Sequence, residues 1–283
     1  MVDLIENIHG STVQHGPHND RIYVQHLATD QIGALLSELE QMATTKKYGK
    51  IFAKIPSPTR QQFRAAGYIQ EANIPHFYSG KTDCCFVAKF FHDRHKTEED
   101  FTNLQKIIQD EKAHLPEITR SIPQLPIELC TTVDAEELAF FYRDLFASYP
   151  FPVFDAVYLK KVMSENVHYY CIREDNKVVA TAATESNSAE KYAEMTDFAT
   201  VPDWRAKGLA TYLLNHMDKE VYRSGITTTF TIARATSYGM NRVFKNCGYT
   251  YSGLLINNTQ IGGRIESMAV WYKQLTSQHI TSN

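Results

Sequence analysis

The chain has no long apolar run. Nowhere do its 283 residues approach the roughly 20 consecutive apolar residues that cross a bilayer. The N-terminal MVDLIENIHG lacks both the apolar core of a signal peptide and the character of a transit peptide. A cytoplasmic protein with no membrane partner is expected. Charge is nearly balanced, 29 Lys and Arg against 32 Asp and Glu, so no basic footprint points to nucleic acid. Cysteine is scarce. Cys84, Cys85, Cys130, Cys171 and Cys247 are odd in number and form no CxxC, which fits reduced thiols rather than a disulfide framework. His15-Gly-Pro-His18 has no further ligand types clustered beside it, and no metal is expected. The GxxxxGKS/T loop is missing and no GxGxxG follows a strand. Neither nucleotide hydrolysis nor dinucleotide binding has support.

What is present is a globular composition, 43% apolar, 22% charged and 12% aromatic, enough to fill a core in each of two domains. A boundary opens at the charged run HDRHKTEED (92–100). Residues 96–126 read as a linker helix and a stiff connector. Thr97 is the N-cap, Glu98, Glu99 and Asp100 form the first turn, and Lys112 stands near the end. Pro116, Pro123 and Pro126 then interrupt regular structure. Domains are expected at 1–95 and 127–273, with a tail over 274–283.

The two domains share a pattern. Phe63-x-x-x-Gly67-Tyr68 matches Phe244-x-x-x-Gly248-Tyr249. Strand-like runs precede both (51–55 and 229–233), and apolar hairpins through Gly80 and Gly262 follow, ending in VAKFF and MAVWY. Two copies of one β-α-β-β unit account for these matching offsets. In the first copy a strand (Ile22–Leu27) and a helix (Asp30–Thr44) are joined only by Ala28-Thr29-Asp30.

The corresponding turn in the second copy differs. An apolar strand ending at Thr200 runs through VPDW into Arg205-Ala206-Lys207-Gly208-Leu209-Ala210, where a helix opens. Leu209, Leu213, Leu214, Met217 and Val221 form its apolar stripe, and Gly225 stands past its end. Free N–H groups and the dipole at such a helix start favour an anion, and Gly208 lets a phosphate approach the backbone. A pyrophosphate is the expected ligand; an ordinary strand-to-helix turn with exposed basic residues is the alternative.

The remaining elements of the second domain read as follows. Strand Ile127–Thr132 precedes a capping box, Asp134-x-x-Glu137, that starts a helix to Ala147. An aromatic loop, Tyr149–Asp155, and a helix to Met163 follow. His168–Arg173 and Lys177–Glu185 form a hairpin across Asp175-Asn176. Beyond the phosphate-site helix come strand Thr227–Ala233, helix Tyr238–Asn246 and a final hairpin.

This order, with R-x-x-G-x-A after the fourth strand, resembles the Gcn5-related N-acetyltransferase (GNAT) superfamily over residues 127–273. Across its length the chain is similar to the β-lysine N-acetyltransferases. QHGPHNDRIYV, KIFAKIP, IPHFYSGKTDCCFVAKFF, YPFPVFD and EMTDFATVPDWRAKGLA carry that resemblance. It implies an α/β fold with a mixed sheet: a C-terminal GNAT domain preceded by a smaller, degenerate GNAT-like domain without a coenzyme A site. It also implies acetyl transfer from acetyl-CoA, the co-substrate, to the ε-amine of β-lysine. The amine is the product of lysine 2,3-aminomutase, and N6-acetyl-β-lysine is a compatible solute. Another amine (a polyamine, an aminoglycoside or a protein lysine) and a non-catalytic CoA-binding regulator are the competing readings.

By the family pattern, the backbone of Arg205, Ala206, Lys207, Gly208, Leu209 and Ala210 holds the CoA pyrophosphate. Phe198, Ala199 and Thr200 pair with the pantetheine arm, one N–H polarising the thioester carbonyl, and Asn241 hydrogen-bonds the arm. The histone-type base stands eleven residues before the turn, at Glu194. Alternation puts Glu194, Thr196 and Phe198 on one face, and Asp197, the second candidate base, with Met195 on the other. Phe244 occupies the place where many members carry a tyrosine general acid. Tyr238 and Tyr249 are the substitutes considered, beside unassisted departure of the thiolate. For the acceptor, Tyr149, Phe151, Phe154 and Asp155 are candidate contacts, Asp155 for an ammonium, and Arg173 or Arg234 for the carboxylate. Three roles are open for residues 1–95: covering the acceptor site, forming a homodimer interface, or stabilising the second domain.

Overall fold

The computed structural model describes residues 3–110 and 125–277. Lys112, Pro116, Pro123 and the end of the tail therefore lie outside the described residues. The chain divides into two compact units. The first takes Met1–Asp100, Ser148–Phe151 and Ser252–Met268; the second takes Phe101–Ala147, Pro152–Tyr251 and Ala269–Asn283.

The first unit runs β1 (Leu4–Ile8), β2 (Ser11–Gly16), β3 (Arg21–His26), α1 (Ile32–Lys46), β4 (Lys50–Pro56), α2 (Arg60–Ala65), β5 (Ile69–Tyr78) and β6 (Thr82–Phe90). Its sheet has the order β1-β2-β3-β4-β6-β5, with β3 and β4 parallel. Period-two patterning gives one face Val13, Ile22, Val24, Ile51, Ala53 and Ile55. This face closes on Leu35, Leu36 and Leu39 of α1 and on Phe63 of α2. Each Val, Leu, Ile or Phe side chain among them contributes about 1.5–3 kcal/mol on burial.

Three cations of this unit seize successive carbonyls of the segment Ser252–Met268. Lys50 Nζ donates to Ile256 O (2.8 Å), Arg94 Nε to Asn257 O (2.8 Å), and Arg21 Nη1 to Asn258 O. Asn257 stands at φ +44°, a kink that turns these carbonyls out of a regular strand. Lys50 is fully buried and paired with Glu71 (2.8 Å), whose other oxygen accepts the Ile256 N–H (2.7 Å). Burial pushes the Lys50 ammonium down to about 8, with Glu71 opposing the shift.

The second unit carries α3 (Thr102–Gln109), β7 (Ile127–Leu129), α4 (Ala135–Leu145), α5 (Ala156–Met163), β8 (Val167–Glu174), β9 (Lys177–Asn187), β10 (Tyr192–Thr200), α6 (Leu209–Arg223), β11 (Thr228–Arg234) and α7 (Tyr238–Asn246). The strands β12 (Thr250–Ile261) and β13 (Arg264–Gln274) complete a seven-stranded sheet, in the order β12-β13-β11-β10-β9-β8-β7. Read in reverse from β8, that order is the first sheet strand for strand. The likeness therefore extends beyond the β-α-β-β unit to the preceding hairpin; β7, α4 and α5 have no counterpart in the first unit.

The repeated FxxxGY has a local cause. In both copies the helix ends in a Schellman motif. Tyr68 N–H donates to Phe63 O (3.1 Å) and Gly67 N–H to Arg64 O (3.0 Å); Tyr249 and Gly248 donate to Phe244 O (3.0 Å) and Lys245 O (3.1 Å). The glycines stand at φ +87° and +82°, where a Cβ is strained. The hydrophobic contact that accompanies this motif is the aromatic pair itself, with ring centroids 5.2 Å apart for Phe63–Tyr68 and 5.3 Å for Phe244–Tyr249.

Three expectations change. The linker helix starts at Thr102, with Phe101 at its N-cap; Thr97 Oγ1 instead accepts the Glu99 N–H (3.2 Å) in a turn. Strand β7 stops at Leu129 because Thr131 and Asp134 form the capping box of a 3-10 turn. The Asp134/Glu137 box is not made, because Glu137 ion-pairs with Arg173. As the motif is the same in both units, Gly67→Ala and Gly248→Ala should each lose about 1–2 kcal/mol. The urea midpoint should fall in both; an unchanged midpoint would show that the turn bears no strain.

Candidate active site

Strand β10 positions the site by leaving its neighbour. Its parallel ladder with β11 spans only Tyr192–Glu194 opposite Thr228–Phe230. Its antiparallel ladder with β9 continues to Thr200 but slips between Thr196 and Ala199. There Asp197 and Phe198 face one residue of β9, a β-bulge, which bends a strand and ends regular pairing. Asp197 takes φ +55°, inside the left-handed region.

The bulge reverses the expected facing of Asp197. Tyr169 lies opposite Ala183, which lies opposite Thr196, so these three share a face with Glu194 and Glu185. Tyr169 Oη donates to Asp197 Oδ2 (2.8 Å), and Thr196 Oγ1 donates to Asp197 Oδ1 (3.2 Å). The Asp197 carboxylate therefore shares the face of Glu194 rather than that of Met195, because the extra residue breaks the alternation. Tyr142 Oη of α4 donates to the Asp197 carbonyl (2.8 Å). Burial, then the Asp197 charge, raises the Tyr142 and Tyr169 phenols well above their usual value, so both remain donors. Tyr158 of α5 is raised in the same way, by burial first and then by Asp197, Glu185 and Glu165.

One face of the sheet thus brings together Glu194, Asp197 and Glu185 beneath the tyrosines of α4 and α5. Glu194 is half-buried, directly opposite Glu185 across the β9 ladder and the last residue of β10 to pair with β11. Such a face attracts a cation. Sequence reasoning missed Tyr142, Tyr158, Tyr169 and Glu185. An acidic residue inside an otherwise apolar strand was the available hint of a bulge.

The turn after β10 is built for an anion. Ala206 (φ +60°) and Gly208 (φ +82°) both lie in the left-handed region, and no side chain caps α6. The first bond into the helix runs from Tyr212 N–H to Gly208 O (3.0 Å), and the Arg205 N–H is taken by Pro202 O (3.1 Å), leaving the N–H groups from Ala206 onward for an outside acceptor. Arg205 Nε donates to Thr200 O (3.1 Å). Lys207 is exposed, its Nζ 4.2 Å from the Trp204 ring centroid. Leu209 is buried, and Ala210 half-buried. In the first unit, no residue of the turn before α1 has positive φ, and it carries Asp30 where an anion would meet like charge.

Other residues have structural employment. Asn241 is fully buried. Its Nδ2 donates to Arg234 O (2.9 Å), Ala235 O (3.2 Å) and Ser237 O (2.8 Å), while Oδ1 accepts from Trp271 Nε1 (2.8 Å). Phe244 is buried and meets Phe198 edge-on (5.6 Å). Tyr249 Oη donates to buried Asp218 (2.8 Å), which removes it as a proton donor to a leaving thiolate; Tyr238 is 53% exposed at the start of α7. Arg173 is held by Glu128, Asp134 and Glu137. Asp155 caps α5 by accepting the Val157 N–H (2.8 Å), and the neighbouring Phe154 carbonyl accepts from Arg143 Nη2 (2.6 Å). Tyr149 and Phe151 belong to the first unit, where His18 Nε2 contacts Tyr149 O (3.0 Å). His15 lies between Glu6 (2.9 Å) and Tyr48 (3.2 Å). Among the described residues no group of His, Cys, Asp and Glu is arranged to hold a metal ion.

Forcing a Cβ into the Gly208 conformation should disturb the turn without touching the reacting atoms. Gly208→Ala should raise the KM for acetyl-CoA about tenfold and leave kcat at saturation within about twofold. Steady-state kinetics at varied acetyl-CoA tests this, and an unchanged KM counts against the turn as the phosphate cradle.

Comparison with known proteins gives the family. Residues 135–249 match the acetyltransferase (GNAT) family, a span from the start of α4 to the Schellman motif of α7. The chain is 37% identical to the beta-lysine N(6)-acetyltransferase of Methanococcus maripaludis, over 96% of this chain and 99% of the relative. It is 34% identical to N-acetyltransferase YodP of Bacillus subtilis, over 78% of each. It is 28% identical to the beta-lysine N(6)-acetyltransferase of Methanosarcina mazei, over 84% of this chain and 95% of the relative. The chain belongs to the GNAT acetyltransferases, among the relatives of the beta-lysine N(6)-acetyltransferases, and is an acetyl-CoA-dependent N-acetyltransferase.

Proposed function

We propose that this enzyme acetylates the ε-amine of β-lysine, giving N6-acetyl-β-lysine, a compatible solute. The observation that carries the reading is the end-to-end similarity to a beta-lysine N(6)-acetyltransferase, 37% over nearly the whole of both chains. The carboxylate face of β9 and β10 supports it, since β-lysine arrives with two ammonium groups. A lysine 2,3-aminomutase reaction supplies that substrate.

Acetyl-CoA supplies an activated acetyl thioester. The α6 turn takes the pyrophosphate on the backbone N–H groups from Ala206 to Ala210, the Arg205 N–H being held by Pro202 O. The edge of β10 from Phe198 to Thr200, released from β11, pairs with the pantetheine arm. One of its N–H groups polarises the thioester carbonyl and stabilises the negative charge that develops on its oxygen. Both substrates are held together, and the amine attacks directly. An alkylamine with a pKa near 10.4 is protonated at neutral pH, so a base must remove a proton first, and Glu194 takes that role directly or through water. Phe244 has no proton to give; the thiolate leaves unassisted or takes its proton from Tyr238.

Two measurements test the proposal. With β-lysine, α-lysine and spermidine assayed side by side, kcat/KM should be highest for β-lysine; a preference for another amine sinks the substrate assignment. Glu194→Gln should lower kcat about 100-fold at pH 7. That deficit should shrink toward pH 10, as more amine is deprotonated in solution. An unchanged kcat at pH 7 removes Glu194 from the mechanism.

A further inference from the structure

The assignment of Asp197 as a reserve base does not fit its surroundings. Its carboxylate accepts from Tyr169 and Thr196, its carbonyl accepts from Tyr142, and it is only 8% exposed. Its backbone has φ +55°, a conformation open to glycine, asparagine and aspartate but costly for most residues. Three residues before it, at Glu194, the β10–β11 ladder ends. Immediately after it come Phe198–Thr200, the edge that the family relationship assigns to the pantetheine arm.

We propose that Tyr142, Tyr169 and Asp197 form a clamp that locks the β10 bulge and so holds the acetyl-CoA slot open, Asp197 acting as a positioning residue and not as a base. The two hydroxyls grip opposite ends of one residue. Tyr142 fixes the peptide carbonyl, which cannot then rotate back toward a regular ladder. Tyr169 fixes the carboxylate, which holds the side chain on the α4 face. Tyr142 and Tyr169 come from separate elements, α4 and β8, and their rings also contact each other (centroids 6.2 Å apart). A strand relaxed into full pairing with β11 would have no free edge for the ligand. Apparent affinity for CoA therefore scales with the fraction of molecules that keep the bulge. The inference rests on acetyl-CoA use and is independent of which amine is the acceptor.

The test measures CoA binding by calorimetry, together with the melting temperature and the pH profile of kcat. Tyr142→Phe and Tyr169→Phe, which remove one oxygen each, should weaken CoA binding about threefold to tenfold. Asp197→Ala should weaken it about tenfold, because alanine keeps the β-carbon in the left-handed region but loses the polar group that offsets its cost there and accepts from Tyr169. Asp197→Gly should stay closer to the parent, since glycine accepts that conformation freely. Asp197→Asn, which keeps both the backbone preference and an acceptor for Tyr169, should retain CoA affinity within about threefold and an unaltered pH profile. Two results overturn the clamp. If Asp197→Asn loses turnover as severely as Asp197→Ala and its pH profile loses a limb, Asp197 is the base. If all the variants bind CoA like the parent while only melting temperatures fall, the contacts are structural alone. Because CoA binding needs no acceptor, a wrong amine assignment would leave these results unchanged.

Discussion

A strand that abandons its neighbour after three paired residues is the constraint on which this enzyme depends. β10 pairs with β11 only from Tyr192 to Glu194, and three residues later it bulges against β9 at Asp197. Unpaired backbone is normally a liability, since each buried N–H or C=O without a partner costs free energy. Here the unpaired edge lies beside a helix start with equally unpaired N–H groups. In the proposed mechanism one elongated ligand meets both vacancies, the arm pairing with the edge and the pyrophosphate capping the helix. Glu194, the proposed base, stands at the point of divergence.

The first unit shows the same strand departure without the basic glycine turn. Its strand order repeats the second unit's from β8 onward, and its helix ends in the same Schellman motif. β3, the counterpart of β10, likewise pairs with its parallel neighbour β4 only from Arg21 to Val24 and slips against β2 beyond Val24, but it leads into a turn with neither glycine nor basic residues. The unit instead engages Ile256, Asn257 and Asn258 through Lys50, Arg94 and Arg21. Cations buried this deeply are costly unless paired and hydrogen-bonded. Lys50 meets both conditions through Glu71 and the Ile256 carbonyl.

Much of this was legible in the residues. Leu209, Leu213, Met217 and Val221 set α6 by their spacing, and Gly208 marked the turn before it. The FxxxGY pair exposed the repeat because its glycine, its helix end and its aromatic contact are all local in sequence. The tyrosines around Asp197 were not legible, since Tyr142 and Tyr169 meet it from 55 and 28 residues away. Asn241 was legible as a polar residue on a helix, but not as one whose amide is consumed by three carbonyls and Trp271. The aromatic loop looked like one unit of function, yet its residues divide between the two compact units.

By itself the sequence determined most of the elements, their order and the glycine turn before α6, because helix period, strand alternation and a glycine's left-handed φ are properties of neighbouring residues. Only the tertiary structure decided which face Asp197 takes. A bulge inserts one residue against a partner strand, and alternation counted along one chain cannot register a slip defined by two. The cross-strand opposition of Glu194 and Glu185 has the same origin: it is set by register, which exists only once β9 and β10 have paired.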